Sequence, residues 1–147
     1  MIYLEQPEDF VSQFESVGCL LIVQKKILIL LRSASSKIEP LKWGHPAGKI
    51  EPDETAESAI LREMREETGL SLMRTQLRFI HTFFVDYATY SCKFKYHVFC
   101  CDMPFYPEIK LSAEHRSHVW IFPSDVQSLC LMQDEKECIE MAMKLVL

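Results

Sequence analysis

Hydrophobic positions near the beginning of the chain form two short runs, Val17–Val23 and Ile27–Leu31, separated by the polar Gln24-Lys25-Lys26. Runs of this length that are rich in Leu, Ile and Val are typical of strands buried in a core. The pattern therefore predicts two strands joined by a tight turn. The polar segment that follows, Ser33–Leu41, predicts a loop.

Three later segments also have the composition of strands. Leu77–Asp86 and Phe94–Asp102 are rich in Phe, Tyr, Val, Thr and Cys, and the polar Tyr87–Lys93 lies between them. A shorter strand is predicted over Val119–Phe122. These segments add at least three strands to the first pair.

The last part of the chain predicts a helix that starts near Gln133. Asp134 lies three residues before Glu137, a spacing that resembles a capping box. Apolar residues then recur at helical spacing. They are Cys138, Ile139, Ala142, Leu145 and Val146. Strands and helices in this order predict a small mixed α and β fold.

A second helix is predicted over Ala56–Glu67, with Thr55 as its N-cap and Gly69 as its left-handed C-terminal residue. At about 100° per residue, four apolar side chains of this helix form one stripe. They are Ala56, Ala59, Ile60 and Met64. Three acidic side chains fall within the same stripe: Glu63, Glu66 and Glu67.

Carboxylates on the face of a helix that docks on a core repel one another and lose solvation, which raises their pKa values. A bound cation would compensate for both effects. Hard oxygen ligands on one helical turn suit Mg²⁺, and Mn²⁺ can substitute for it. The alternative is a solvated acidic surface, which the overlap of the carboxylates with the apolar stripe disfavours.

The composition narrows the class of protein. The 147 residues are 48% hydrophobic and 25% charged, so we expect one globular domain over residues 1–147, as a monomer or a homodimer. A net charge of −5 argues against duplex nucleic acid as a partner. The sequence predicts neither a signal peptide nor a membrane span. Six cysteines without a C-x-x-C pair favour reduced thiols and a cytoplasmic location.

The segment from Gly48 to Leu70 resembles the Nudix box, G-x5-E-x7-R-E-U-x-E-E-x-G-U, in which U is a bulky apolar residue. The box covers 23 of the 147 residues, and each of its fixed positions is matched. They are Gly48, Glu54, Arg62, Glu63, Met64, Glu66, Glu67, Gly69 and Leu70. One departure from many members of the family precedes the box, where Ala47 replaces a second glycine.

The resemblance implies an α/β/α sandwich with a mixed central sheet. It also implies a metal-dependent pyrophosphohydrolase that cleaves a nucleoside diphosphate linked to another group. The implied metal ligands are Glu63, Glu66, Glu67 and the backbone carbonyl of Ala47. Glu63 and Glu67 are also implied catalytic residues, and Glu63 is a candidate general base.

The same resemblance assigns supporting roles within the box. It implies an ion pair between Arg62 and Glu54, through which Arg62 assists catalysis by orienting the carboxylates. Gly48 and Gly69 are expected to be structural, as is Glu54.

Outside the box, Glu114-His115 followed by Trp120 resembles the E-H-x4-W segment of several nucleotide-hydrolysing Nudix enzymes, including diadenosine tetraphosphate hydrolases. This makes Glu114 a second candidate for the general base or a metal ligand, and predicts that Trp120 is in the core. Three further residues are candidates for binding substrate: Arg32, His45 and Lys49. The alternatives are solvated surface charge for Arg32 and Lys49, and packing or hydrogen bonding within the protein for His45.

The substrate is left open by the sequence. Dinucleoside polyphosphates and nucleoside triphosphates are favoured, because of the Glu114-His115 segment, over nucleotide sugars. A second hypothesis, from another class of protein, is a Nudix-fold module that binds a nucleotide without cleaving it. Substitution of the box acids would favour such a module, and here all of them are retained.

Overall fold

The structure is a computed structural model that describes residues 1–146. Within this range the chain forms eight strands and two α-helices. The strands are β1 (Ile2–Tyr3), β2 (Phe14–Val23), β3 (Lys26–Arg32), β4 (Trp43–Gly44), β5 (Ala47–Lys49), β6 (Arg78–Tyr87), β7 (Cys92–Asp102) and β8 (His115–Ile121). The helices are α1 (Ala56–Thr68) and α2 (Glu135–Val146), and short 3₁₀ segments cover Arg74–Gln76, Ala88–Tyr90 and Pro123–Ser128.

All of these strands belong to one mixed sheet with the order β1-β6-β7-β2-β3-β4. β2 and β7 run parallel along Phe14–Ile22, and the other paired strands are antiparallel. On its other edge β2 has two partners, because Ser16–Gly18 pairs with β5 and Ile22–Val23 pairs with β3. β8 completes the sheet beside β3.

Both faces of this sheet are buried, which explains the continuous apolar runs in the sequence. Along β2, Val17, Cys19 and Leu21 pack in a cluster with residues of α1. Leu20, from the opposite face, packs in a second cluster with residues of α2. The arrangement confirms the predicted α/β/α sandwich and its mixed central sheet.

The predicted tight turn between the first two strands consists of two residues. Gln24 and Lys25 have φ values of 50° and 67°, and β3 starts at Lys26. Two successive positive φ values are the mark of the hairpin turn whose twist matches that of the flanking strands. The third polar residue of the predicted turn is therefore already part of a strand.

The ends of two strands differ from the prediction. β2 begins at Phe14, three residues before the predicted Val17, because β7 and β5 also pair with its polar first residues. β8 covers His115–Ile121, whereas the sequence predicted Val119–Phe122. Its polar first half forms a strand because it pairs with β3. These extensions bring Phe14 and His115 into the sheet.

The C-terminal helix is confirmed, but two details of its prediction are wrong. The Asp134 carboxylate lies 3.2 Å from the amino group of Met1, rather than forming the expected capping box with Glu137. Leu145 is 49% exposed, because it lies at the margin of the stripe formed by Cys138, Ile139 and Ala142. No helix in residues 1–146 is long and apolar enough to cross a membrane.

Candidate active site

Helix α1 is fixed at both ends, which sets the direction of its acidic side chains. At the N-terminus, the Thr55 hydroxyl accepts a hydrogen bond from the Ser58 backbone amide, and the Ser58 hydroxyl accepts one from the Thr55 amide. At the C-terminus, Gly69 has a φ of 77° and donates its backbone N–H to the Arg65 carbonyl. Only glycine adopts this left-handed conformation without strain. The predicted caps are thus confirmed, and the helix extends one residue beyond the predicted Glu67.

Two of the three acidic side chains predicted to face the core are buried. Glu63 is 9% exposed and Glu67 is 4% exposed. Glu66 does not follow the prediction, because its side chain is 55% exposed. It is adjacent to Glu67 in sequence and hence about 100° away around the helix, at the edge of the apolar stripe.

Arg62 connects the acidic residues of α1 to the segment before the helix. Its Nε and Nη2 donate to the two carboxylate oxygens of Glu54 at 2.8 and 2.9 Å. Its Nη1 donates to Glu63 at 2.7 Å and to Glu66 at 3.2 Å, and Nη2 also reaches the Lys49 carbonyl. The hydrogen bonds from Arg62 lower the pKa of Glu54 to about 2. The ion pair expected from the Nudix resemblance is therefore present.

Glu63 lies against the backbone of β5 at Gly48. A Cβ atom on Gly48 would lie only 2.2 Å from the Glu63 carboxyl group, so this position has room for glycine alone. Burial raises the pKa of Glu63, although the adjacent Arg62 guanidinium opposes that shift. The negative charges of Glu66 and Glu114 raise the pKa of Glu63 further, because both carboxylates lie close enough to repel it.

Glu67 is the most deeply buried acid of the group. Its Oε1 accepts a hydrogen bond from the Ala47 backbone amide at 3.0 Å. Burial raises its pKa well above the ordinary value, and the charges of Glu63 and Glu114 act in the same direction. The Ala47 hydrogen bond and the positive charge of Arg32 oppose this shift without cancelling it.

Glu114 and His115 reach the same place from the other side, at the start of β8. Ligand atoms of Glu67, Glu114 and His115 all lie within 4.8 Å of one another. Glu114 is exposed, whereas His115 is 7% exposed and its Nδ1 has no hydrogen-bond partner. Burial, reinforced by the charge of Arg32, lowers the pKa of His115 to about 4. The ring is therefore neutral near pH 7.

His115 was missed by the sequence reasoning as a functional residue. The Glu114-His115 pair was noted, but only Glu114 received a role. The burial of the ring follows from the pairing of His115 with Arg32 at the bulged end of β3. That pairing is a contact between distant parts of the chain, and the local sequence pattern does not reveal it.

The group has the properties of a site for a divalent cation. It combines carboxylate oxygens with one neutral imidazole, and both are ligands of divalent metals in proteins. A cation would offset the repulsion that raises the pKa values of Glu63 and Glu67. A ring nitrogen of the buried His115 also lies near enough to Glu67 and Glu114 to join such a site. The residues present therefore fit a metal ion.

An apolar cavity of about 230 Å³ adjoins the acids. Its walls include Phe14 and Phe94, whose rings stack with their centroids 4.9 Å apart, and Tyr87. The cavity lies on the α2 side of the sheet, since Tyr96 and Cys138 of that core cluster also line it. The sequence does not reveal this pair, because Phe14 precedes the predicted strand and meets Phe94 only through the pairing of β2 with β7.

The cavity and the acids meet at β5. Ala47 and Gly48 line the cavity, and the same two residues contact Glu67 and Glu63 from their other side. Lys49 also lines it, with its Nζ 4.2 Å from the centroid of the Phe14 ring.

The other two residues predicted to bind substrate have protein partners. Arg32 lines the cavity, while its Nε donates to the Ile38 carbonyl and its Nη2 to the Ser36 hydroxyl. His45 is buried in the cavity wall. One ring nitrogen is bonded to Glu135, and the other lies 2.5 Å from the Tyr96 hydroxyl. Both ring nitrogens of His45 are thus engaged within the protein.

A family model described as the NUDIX domain matches residues 13–141 of this chain. The chain belongs to the Nudix family. The match spans the box and most of the sheet, in agreement with the fold. The family expected from the sequence is thereby confirmed.

Two curated Nudix relatives overlap the chain to different extents. The m7GpppN-mRNA hydrolase NUDT17 of Xenopus laevis is 41% identical over 69 residues, which are 45% of this chain but only 23% of that protein. The nucleoside triphosphatase NudI of Escherichia coli is 29% identical over 119 residues, which are 76% of this chain and 84% of NudI. NudI therefore matches this chain over a much larger part of its length.

Among solved Nudix structures, the bifunctional NMN adenylyltransferase/ADP ribose pyrophosphatase of Francisella tularensis is similar with a TM-score of 0.75 and 27% identity. The similarity covers 92% of this chain and 42% of that one. That structure contains AMP and a manganese ion. Hydrolases of the Nudix family depend on a divalent metal, in agreement with the donor set described above.

Proposed function

We propose that this Nudix protein is a metal-dependent pyrophosphohydrolase that cleaves a nucleoside triphosphate to a nucleoside monophosphate and pyrophosphate. The observation that carries the proposal is the junction at β5 between the buried acids and the apolar cavity. A nucleoside bound against the aromatic wall would place its phosphates beside Glu63, Glu67 and Arg32. In the reaction, water adds to one phosphorus and the adjoining anhydride P–O bond breaks.

The proposed metal ligands are the Glu63, Glu66 and Glu67 carboxylates and the Ala47 carbonyl, with Glu114 close by. When bound, the ion would neutralise phosphate charge and lower the pKa of a water ligand. Arg62 is a positioning residue, because it holds both Glu63 and Glu66 by hydrogen bonds. Arg32 lines the cavity beside the acids and would donate charge-assisted hydrogen bonds to a phosphate oxygen. Lys49 is the second proposed phosphate contact.

Glu114 and Glu63 are the two proposed general bases. Glu114 is exposed and stands close to Glu67, so it can accept a proton from water and pass it to solvent. Glu63 is buried and its Oε1 already accepts a hydrogen bond from Arg62, so this carboxylate is less accessible to an attacking water. We therefore favour Glu114.

A triphosphate is preferred to a dinucleoside polyphosphate because of a second cleft on the other side of Arg32. The residues that line it are Arg32, Ser33, Ser35, Ser36, Ala113 and Glu114. A polar cleft of this kind suits phosphate oxygens better than a second nucleobase, which would need an apolar or aromatic wall. The name of the relative NudI, a nucleoside triphosphatase, supports the same choice.

A nucleotide sugar is the second candidate substrate, because hydroxyl groups of a sugar would also fit the serine-lined cleft. The ADP-ribose pyrophosphatase among the similar structures supports including this class. A module that only binds nucleotides is the alternative without catalysis. We also propose a cytoplasmic location, which the six free cysteines support.

Product analysis distinguishes these possibilities. The protein, with Mg²⁺ or Mn²⁺, is incubated with the nucleoside triphosphates, ADP-ribose and diadenosine polyphosphates, and products are identified by chromatography and ³¹P NMR. We expect a monophosphate and pyrophosphate from at least one triphosphate. Glu67→Gln should abolish the reaction, and the exposed control Arg65→Ala should retain it. Nucleotide binding without products from any substrate would support the binding module instead.

A further inference from the structure

His115 is a buried polar residue whose ring nitrogen the fold leaves unpaired. The residue is 7% exposed, and its Nδ1 is fully enclosed without a hydrogen-bond partner in residues 1–146. Most buried polar groups in proteins are hydrogen-bonded, and leaving one unsatisfied costs about 1–3 kcal/mol. Such an atom therefore needs an explanation in terms of a ligand or a role.

The position of the ring provides one. A ring nitrogen of His115 lies within 4.8 Å of carboxylate oxygens of both Glu67 and Glu114. Two atoms that are each about 2.1 Å from one shared ion can be at most about 4.2 Å apart. Small side-chain adjustments would therefore bring the His115 nitrogen and a Glu67 oxygen onto a single ion.

We propose that His115 supplies a nitrogen ligand to the divalent ion held by Glu67, so that this site favours Mn²⁺ over Mg²⁺. The inference rests on the proposed function, since it assumes that a metal ion occupies these acids. It goes beyond the ligand set expected from the Nudix box, in which each ligand is an oxygen atom.

The ligand type explains the preference for manganese. Mg²⁺ binds oxygen ligands almost exclusively and keeps its waters, whereas Mn²⁺ and later divalent metals accept imidazole more readily. The two ligands come from separate elements, because Glu67 lies on α1 and His115 begins β8. Strand pairing with Arg32 holds the backbone of His115 beside β3. The nitrogen is therefore supplied by a rigid part of the sheet.

Pulsed EPR of the Mn²⁺-loaded protein tests this assignment directly. We expect a ¹⁴N coupling from a directly bound imidazole, which changes to a ¹⁵N coupling when the protein is labelled with ¹⁵N-histidine. This measurement uses the unaltered chain, so it does not depend on whether a variant folds. Absence of a nitrogen coupling in Mn²⁺-loaded protein would overturn the proposal.

Calorimetric titration of variants gives a second readout. His115→Gln should weaken Mn²⁺ binding by at least about tenfold, because even partners in the outer shell contribute about 10–100-fold in metal affinity. Mg²⁺ affinity should change much less. The matched control is His118→Gln, an exposed histidine of the same strand, which should leave both affinities unchanged.

The outcomes separate this inference from the proposed function. One outcome is that the protein hydrolyses nucleotides with metal, binds Mn²⁺ and Mg²⁺ equally well, and keeps both affinities in His115→Gln. This outcome would overturn the nitrogen ligand and leave the proposed pyrophosphohydrolase intact. Failure of the unaltered protein to bind either ion or to hydrolyse any nucleotide would instead overturn both.

Discussion

Replacing Gly48 by alanine should disable the site by displacing one carboxylate. The added Cβ would lie 2.2 Å from both Cδ and Oε1 of Glu63, whereas ordinary van der Waals contact begins near 3.4 Å. The carboxyl group must therefore move by about 1 Å. A free side chain would do so easily, but this one is buried and accepts a 2.7 Å hydrogen bond from Arg62.

The size of the effect follows from that displacement. A misplacement of about 1 Å in an active site can reduce turnover by about 10²-fold. Overpacking of a buried position costs about 1–3 kcal/mol of unfolding free energy. Each kcal/mol corresponds to about 2–4 °C in melting temperature for a chain of this size. Gly48→Ala should thus remain folded at room temperature while losing most of its activity.

Steady-state kinetics, metal titration and calorimetric melting of Gly48→Ala measure these effects. Gly44→Ala is the matched control, because its added Cβ meets the flexible side chain of Met132, with Sδ at 2.7 Å. The control should lose stability but keep its turnover. If Gly48→Ala retains wild-type kcat and metal affinity, the close approach of β5 to Glu63 does not constrain the site and the reasoning is wrong.

Three further predictions concern charge. In the metal-free fold the pKa of Glu67 is raised above its value near 4.5 in the unfolded chain. The stability that this carboxyl group contributes is therefore fully present below pH 4.5 and is lost as the pH rises through the pKa of the folded state. Glu67→Gln should therefore raise the metal-free melting temperature at pH 8 relative to wild type, with the difference shrinking towards pH 4, while activity falls by orders of magnitude. Mn²⁺ at about 100 times its dissociation constant should raise the free energy of unfolding of the wild-type protein by about 2.7 kcal/mol. The melting temperature should rise accordingly, and EDTA should reverse the rise. An unchanged melting curve would argue against an assembled metal site. Glu114→Gln should lower kcat by about 10²–10⁴-fold and flatten one limb of the pH–rate profile if Glu114 is the base. Recovery of its activity at high metal concentration would identify a ligand instead, and full activity at ordinary metal concentration would leave Glu63 as the base.

Local features of the fold could be predicted from the sequence because local physics determines them. The caps at Thr55 and Gly69 follow from side-chain hydrogen bonding and left-handed backbone preference. The first two strands follow from their apolar runs. The burial of Glu63 and Glu67 also followed from helical geometry alone.

Features that depend on pairing between distant segments could not be predicted in this way. The polar start of β8 forms a strand because it pairs with β3, and this pairing buries His115. Phe14 enters the cavity wall because β2 continues beside β7 through residues that are not uniformly apolar. The exposure of Glu66 has another cause. It lies at the edge of the apolar stripe of α1, where its side chain can turn towards solvent and Arg62.

The placement of the acids and the aromatic wall on opposite faces of the sheet has an evolutionary consequence. Glu63 and Glu67 belong to α1, whereas Tyr87 and Phe94 belong to strands that pack towards α2. Substitutions at Tyr87 or Phe94 can reshape the cavity without altering the hydrogen bonds of Glu63 or Glu67. Preference for one nucleotide over another can therefore drift under selection while the hydrolytic apparatus stays constant.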